Sequence, residues 1–134
     1  MSTNNIEFIQ NNVYANFETG NIPALMEVLD ENISWVHHGS RELIPFAGEW
    51  QGVEGAGQML QTFAETVEPV FMNVKDIVAS GDKVVVQINE SYKVKATGKA
   101  YVTEVVHIWT VQEGKVTRFD ELYDSAAIAE AFAA

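Results

Sequence analysis

The chain of 134 residues has no cysteine, three prolines, and eight basic residues against nineteen acids. Without cysteine there is no disulfide, thiol nucleophile or thiolate metal site, which fits the cytosol. The formal charge of −11 argues against nucleic acid or an anionic membrane as partner, since phosphate recognition needs a basic face. No apolar run approaches the roughly 18 residues that span a bilayer. The opening residues MSTNNIEF hold neither a basic nor an apolar stretch, so no secretion signal is read and the expected location is cytoplasmic. Phosphate-loop spacing (GxxxxGK[ST]) and zinc spacings (HxH, HExxH) are missing too, so no cofactor and no metal is expected.

What is present describes one domain over residues 1–134. Hydrophobic residues make up 47%, enough for a buried core and against disorder. Ile6, Ile9, Val13 and Phe17 recur at helical spacing, with Ser2 or Thr3 as cap and Gly20 as stop. Asn21 caps a second helix that tolerates Pro23 in its first turn and carries Leu25, Met26, Val28 and Leu29. Ile33 to His38 reads as a strand, and GSRELIPFAGEWQG after it as an ordered loop. A third helix is expected from Val53 to Val67, ended by Pro69.

The period then becomes strand-like. Residues 70–80, 83–95, 100–112 and 115–123 form an antiparallel meander joined by SGDK, ATGK and QEGK, and SAAIAEAF closes the chain as a helix. Helices followed by such a sheet make an α+β fold. A Gly bulge at Gly114 places His107 opposite Phe119, and the same turn form at Gly98 places Gln87 opposite His107. One face then gathers Gln87, Asn89, His107, Trp109, Phe119, Glu121 and Tyr123, a mixture of polar groups and apolar walls that suits a small-molecule pocket. His37 and His38, being neighbours in a strand, point to opposite faces.

The stretches WVHHGSRELIPFAGEWQGVEG (Trp35 to Gly55) and HIWTVQEGKVTRFDELYD (His107 to Asp124) resemble SnoaL-like proteins of the nuclear transport factor 2-like superfamily. The resemblance implies a cone, with a curved antiparallel sheet wrapped around helices and a deep pocket at its open end. It also implies a homodimer through the outer sheet face. Members include polyketide cyclases, steroid isomerases, dehydratases, epoxide hydrolases and noncatalytic binding domains. In the cyclases an aspartate near the end of the last strand is the base, and Asp124 matches it. In the epoxide hydrolases the first aspartate of R-x-x-D-Y-F-D falls on Glu121. Their Arg-x-Asp pair has no counterpart in Gln87-Ile88-Asn89.

The candidates for chemistry are therefore Glu121, Asp124 and His107. Glu121 is either a base in an apolar cavity, where desolvation raises its pKa, or an exposed or salt-bridged strand residue near Arg118, and Asp124 either reaches the pocket or caps the last helix. His107 either shares a proton with Glu121, hydrogen-bonds a substrate carbonyl and so, like a Tyr, stabilises the developing enolate oxygen, or is satisfied by Gln87. Tyr14, Trp35, His37, Phe46, Trp50, Gln87, Asn89, Trp109 and Tyr123 are expected to bind a small, largely apolar ligand. The function read from this set is proton abstraction next to a carbonyl, or else ligand binding without catalysis.

Overall fold

The computed structural model describes the backbone of residues 2–134 and side chains from Asn4 onward, so the side-chain cap expected at Ser2 or Thr3 lies outside what is described. Helix α1 (Ser2–Ile9), a π-helical turn (Gln10–Tyr14) and α2 (Ala15–Thr19) run on as one helical segment. Gly20 ends it at φ 74°, donating to the carbonyls of Asn16 and Phe17 from a conformation glycine adopts without strain. Asn21 then caps α3 (Ile22–Glu27) by accepting from the Ala24 N–H at 3.3 Å. The helix stops before Leu29, which was expected within it. Leu29 instead opens β1 (Leu29–His37), where it pairs with Val116 of the last strand.

The Gly/Pro segment contains a short strand that sequence periodicity did not reveal. This strand, β2 (Gly48–Gln51), pairs antiparallel with β1, with Trp35 opposite Trp50. Arg41 ties the preceding turn to it, donating to the carbonyls of Ala47 (2.8 Å) and Glu49 (3.0 Å). Helix α4 (Gly52–Thr66) follows, and β3 (Val67–Ser80) starts at once, three residues earlier than expected. Pro69 therefore lies inside a strand rather than ending the helix. Strand β3 is at the sheet edge, where a missing N–H is tolerated.

Strands β4 (Lys83–Val94), β5 (Ala100–Gln112) and β6 (Lys115–Leu122) and helix α5 (Ser125–Phe132) complete the fold. The six strands form one curved sheet in the order β2-β1-β6-β5-β4-β3, with β1 parallel to β6 and the other pairs antiparallel. Its concave face meets the helices. Ile9, Val13, Leu25 and Met59 pack there with Val84, Val86, Ile88, Trp109 and Phe119 in a single buried core. Each aliphatic side chain so buried contributes about 1.5–3 kcal/mol. Among the described residues, no helix is long and apolar enough to cross a membrane.

Register decides which side chains enter the cone. At QEGK the turn has two residues, Glu113 at φ 52° and Gly114 at φ 74°, with Gln112 opposite Lys115. That is a type I′ turn in place of the expected bulged one, and it shifts the pairing by one residue. A bulge between Thr110 and Val111 shifts it once more, so His107 lies opposite Glu121. Two one-residue departures cancel in parity, and the β5 and β6 residues keep the expected face.

At ATGK nothing compensates. Lys93 pairs with Ala100 and Val86 with His107, so Gln87 and Asn89 turn to the outer face and the expected Gln87–His107 pair does not form. Asn89 instead donates to Glu104 there at 2.8 Å.

Two substitutions test these local arguments by chemical denaturation. Asp124→Ala removes the carboxylate that accepts the Ala127 N–H at 3.1 Å at the start of α5, and is expected to cost about 1 kcal/mol. Glu113→Asn relieves a left-handed residue in a turn that favours Asn-Gly, and is expected to stabilise by about 0.5–1 kcal/mol.

Candidate functional site

Two rows of side chains cross the three strands β1, β6 and β5. The first is His37–Glu121–His107 and the second Trp35–Phe119–Trp109. Parallel pairing of β1 with β6 and antiparallel pairing of β6 with β5 set these residues abreast on the concave face. The polar row thus stands beside a row of aromatic rings, with centroids 4.5 Å apart for Trp35–Phe119 and 4.1 Å for Trp109–Phe119.

Glu121 is the centre of the polar row. Its Oε1 lies 3.0 Å from His107 Nε2 and 3.5 Å from His37 Nε2. The 3.0 Å contact is short but poorly aligned, leaving Nε2 without a well-directed acceptor in the protein. On its other side, His107 Nδ1 lies 2.7 Å from the Tyr14 hydroxyl, which accepts the Trp109 indole N–H at 2.9 Å. Tyr14 reaches inward from the π-helical turn, whose wider spiral is a common feature of functional sites. Accepting the indole N–H on one lone pair, the phenol donates its own O–H to Nδ1. The His107 proton then sits on Nε2, facing Glu121.

The environment sets the charges. Burial drives the Tyr14 phenol well above its ordinary value, with the negative charge of Glu121 adding to the rise, so it remains protonated. Burial likewise pushes His37 down, toward the neutral imidazole. Burial would also raise Glu121, but the neighbouring His37 and His107 imidazoles and hydrogen bonding from His107 outweigh it and hold the carboxyl below its usual range. Since burial disfavours a cationic His37, the shorter His107 contact is the contribution that lasts. Glu121 is ionised at neutral pH.

A second acid shares the cavity. Glu90 on β4 is 6% exposed, and its carboxyl is pushed up to about 8 by burial first and the Glu121 charge second, with the Tyr92 hydroxyl opposing. Sequence reasoning missed it because the ATGK turn argument placed Gln87 and Asn89 inward. A signal was there: Val84, Val86 and Ile88 alternate as buried positions, and Glu90 is the next in phase. Glu90, His107 and Glu121 each bring one donor atom within 4.8 Å of the others. They could hold a cation only if Glu90 gave up its proton and the Glu121–His107 contact opened.

These residues line an inner cavity of about 60 Å³, walled by Val13, Met59, Leu60 and Phe63. A second cavity of about 380 Å³ shares Phe17, Leu60, Phe63 and Tyr92 with it. Of the expected site residues, Tyr14, Trp35, His37, His107, Trp109 and Glu121 line the inner cavity. The others do not. Phe46 is core packing behind His37 and Phe63, and Trp50 lies under Arg41 at 3.9 Å with its indole donating to the Phe46 carbonyl. Tyr123 packs against His37 outside the lining, and Asp124 caps α5. His38 and Asp120 face outward, paired at 2.9 Å, and Arg118 clamps Asp120 from its own strand.

Comparison with known proteins agrees with this architecture. A crystallised NTF2-like protein from Burkholderia xenovorans is 28% identical with a TM-score of 0.90, covering 99% of this chain and 98% of that one. TerC, crystallised with polyporic acid, is 25% identical with a TM-score of 0.82, covering 96% of this chain and 97% of that one. A Mesorhizobium loti protein provisionally called a SnoaL-like polyketide cyclase is 21% identical with a TM-score of 0.71, over 88% of this chain and 97% of that one. No curated protein matches the chain. The SnoaL-like domain family matches residues 11–119, from the π-helical turn into β6, and the chain belongs to that family.

Proposed function

We propose that this protein binds a small, largely apolar organic molecule in the cone. There it takes a proton from a carbon next to a carbonyl, as a cofactor-independent isomerase, cyclase or dehydratase. The observation that carries the reading is Glu121: an ionised carboxylate in a cavity with apolar walls, steadied by His107, which Tyr14 and Trp109 hold in one tautomer. A carboxylate that stays ionised at neutral pH can take an activated C–H proton without a cofactor, and the imidazoles that keep it ionised make it a weaker base than burial alone would. TerC, a relative in fold, was crystallised with an organic molecule, which fits a ligand-binding cone. The cavity lining includes no arginine among the described residues, so epoxide opening through an Arg-x-Asp pair has little support.

A noncatalytic binding module is the second reading. It is favoured by the small inner cavity, about 60 Å³ against the roughly 300–1,000 Å³ of typical ligand clefts. The adjoining apolar cavity answers this in part, since a ligand with its carbonyl at Glu121 would extend past Phe17 and Leu60 into it. We also propose a cytoplasmic homodimer joined through the outer sheet face. Phe71, Val78, Val102 and Leu122 expose apolar side chains there, 37–60% exposed.

Deuterium uptake from D2O into 2-tetralone, an apolar ketone that enolises readily, tests the catalytic reading. The wild-type protein is expected to accelerate exchange, and Glu121→Gln to lose about 100-fold or more of that acceleration. Because Glu121 is held below its usual range, the activity should stay level as pH falls from 7 to about 5 and drop only under more acidic conditions. Equal exchange by wild type and Glu121→Gln would leave only the binding reading. For the dimer, Val102→Glu is expected to halve the mass measured by light scattering. A wild-type mass of one chain would end that proposal.

A further inference from the structure

Inside the cavity, most hydrogen-bond donors are already committed. The Trp109 N–H goes to Tyr14 and the Tyr14 O–H to His107, while the His107 N–H faces Glu121. The Trp35 indole N–H is buried without a partner, but an indole has no proton to transfer. His37, kept neutral by burial, has no second proton to give. A base that removes a carbon proton creates an enolate, whose oxygen needs a proton or a strong donor in a site shut off from water. Of the remaining polar side chains in the lining, the Tyr92 hydroxyl is paired with Glu90, which leaves the Glu90 carboxyl itself.

We infer that Glu90 is the general acid of this cavity, delivering its proton to the substrate carbonyl oxygen while Glu121 takes the carbon proton. The inference rests on the proton-abstraction reading above. The geometry supports it: Glu90 is almost fully buried, and its donor atom lies within 4.8 Å of those of His107 and Glu121. A carbonyl oxygen and the C–H beside it can then face the two carboxyl groups from the same side of the cavity. The C–H electron pair becomes the C=C bond of the enol, Glu121 ends protonated, and Glu90 ends ionised. Return of the oxygen-bound proton to Glu90, with delivery of the Glu121 proton to a carbon, restores both groups and completes an isomerisation. No co-reactant is consumed.

Charge favours this division of labour. Two carboxylates so close in an apolar site cannot both ionise cheaply, and Glu121 has the imidazoles whereas Glu90 has none as near. The titratable groups facing Glu90 are Glu121, His107, Tyr14, Tyr92 and Tyr101, and the three phenols stay neutral through burial. The α4 residues in the lining (Met59, Leu60 and Phe63) and Met72 of β3 carry no charge.

A carboxyl carbon NMR titration of wild type, Glu90→Gln and Glu121→Gln tests the protonation states that the inference requires, and the exchange rate of Glu90→Gln tests proton delivery. One glutamate should titrate near 8 in wild type, vanish in Glu90→Gln, and move down in Glu121→Gln. Stability gives a second reading. A carboxyl raised from 4.5 to about 8 in the fold binds a proton that the unfolded chain has released, so stability declines as pH rises between those values. Glu90→Gln should remove that decline. A Glu90 that ionises in the ordinary range overturns the inference and leaves Glu121 as base untouched. A protonated Glu121 at neutral pH defeats both readings. In the tetralone assay, exchange by wild type with an unchanged rate in Glu90→Gln overturns this inference alone.

Discussion

The contact between Glu121 and His107 is the constraint on which the rest of this structure turns. A carboxylate in an apolar cone is stable only if something nearby favours its charged form, and His107 does so at 3.0 Å. To present its Nε2 proton to Glu121, the imidazole needs a donor to Nδ1. Tyr14 provides it, and the Trp109 indole in turn orients Tyr14. A helix, two strands and three aromatic or heteroaromatic rings are therefore arranged around one negative charge.

That charge also governs its neighbours. It helps to keep Tyr14 protonated, and it helps to keep Glu90 neutral at physiological pH. An ionised and a neutral carboxyl in one cavity are two different reagents made from the same side chain, and the difference lies in the imidazoles at hand. The buried Trp35 indole N–H and His37 Nδ1, both without a partner, add to the picture. Each buried group left without a hydrogen bond costs about 1–3 kcal/mol, a cost that a bound polar group would relieve.

Much of the architecture was legible in the chain. The 3.6-residue spacing of Ile6, Ile9 and Val13, the Asn21 cap and the glycine turns placed helices and strands in the right order. The face shared by His107, Trp109, Phe119 and Glu121 was also read correctly, although by two slips that cancelled. The face of β4 was not. The four-residue turn from Lys95 to Gly98, between Val94 and Lys99, differs by one residue from the form that Gly98 suggested, and a slip of one inverts every side chain beyond it. Glu90 was hidden by that single residue, while Gln87 and Asn89 were promoted in its place.

Local chemistry in the sequence determined the elements and their order, because caps, turns and apolar period act over a few residues. It also supplied the acids, imidazoles and indoles from which a site could be made. Which of them meet was decided only by tertiary structure. The parallel pairing of β1 with β6 joins residues more than eighty positions apart, setting His37 beside Glu121. Sheet curvature then brings Glu90 to the same carboxylate from two strands away. Long-range pairing and bulges follow from the packing of the whole core, and no short stretch of the chain carries that information.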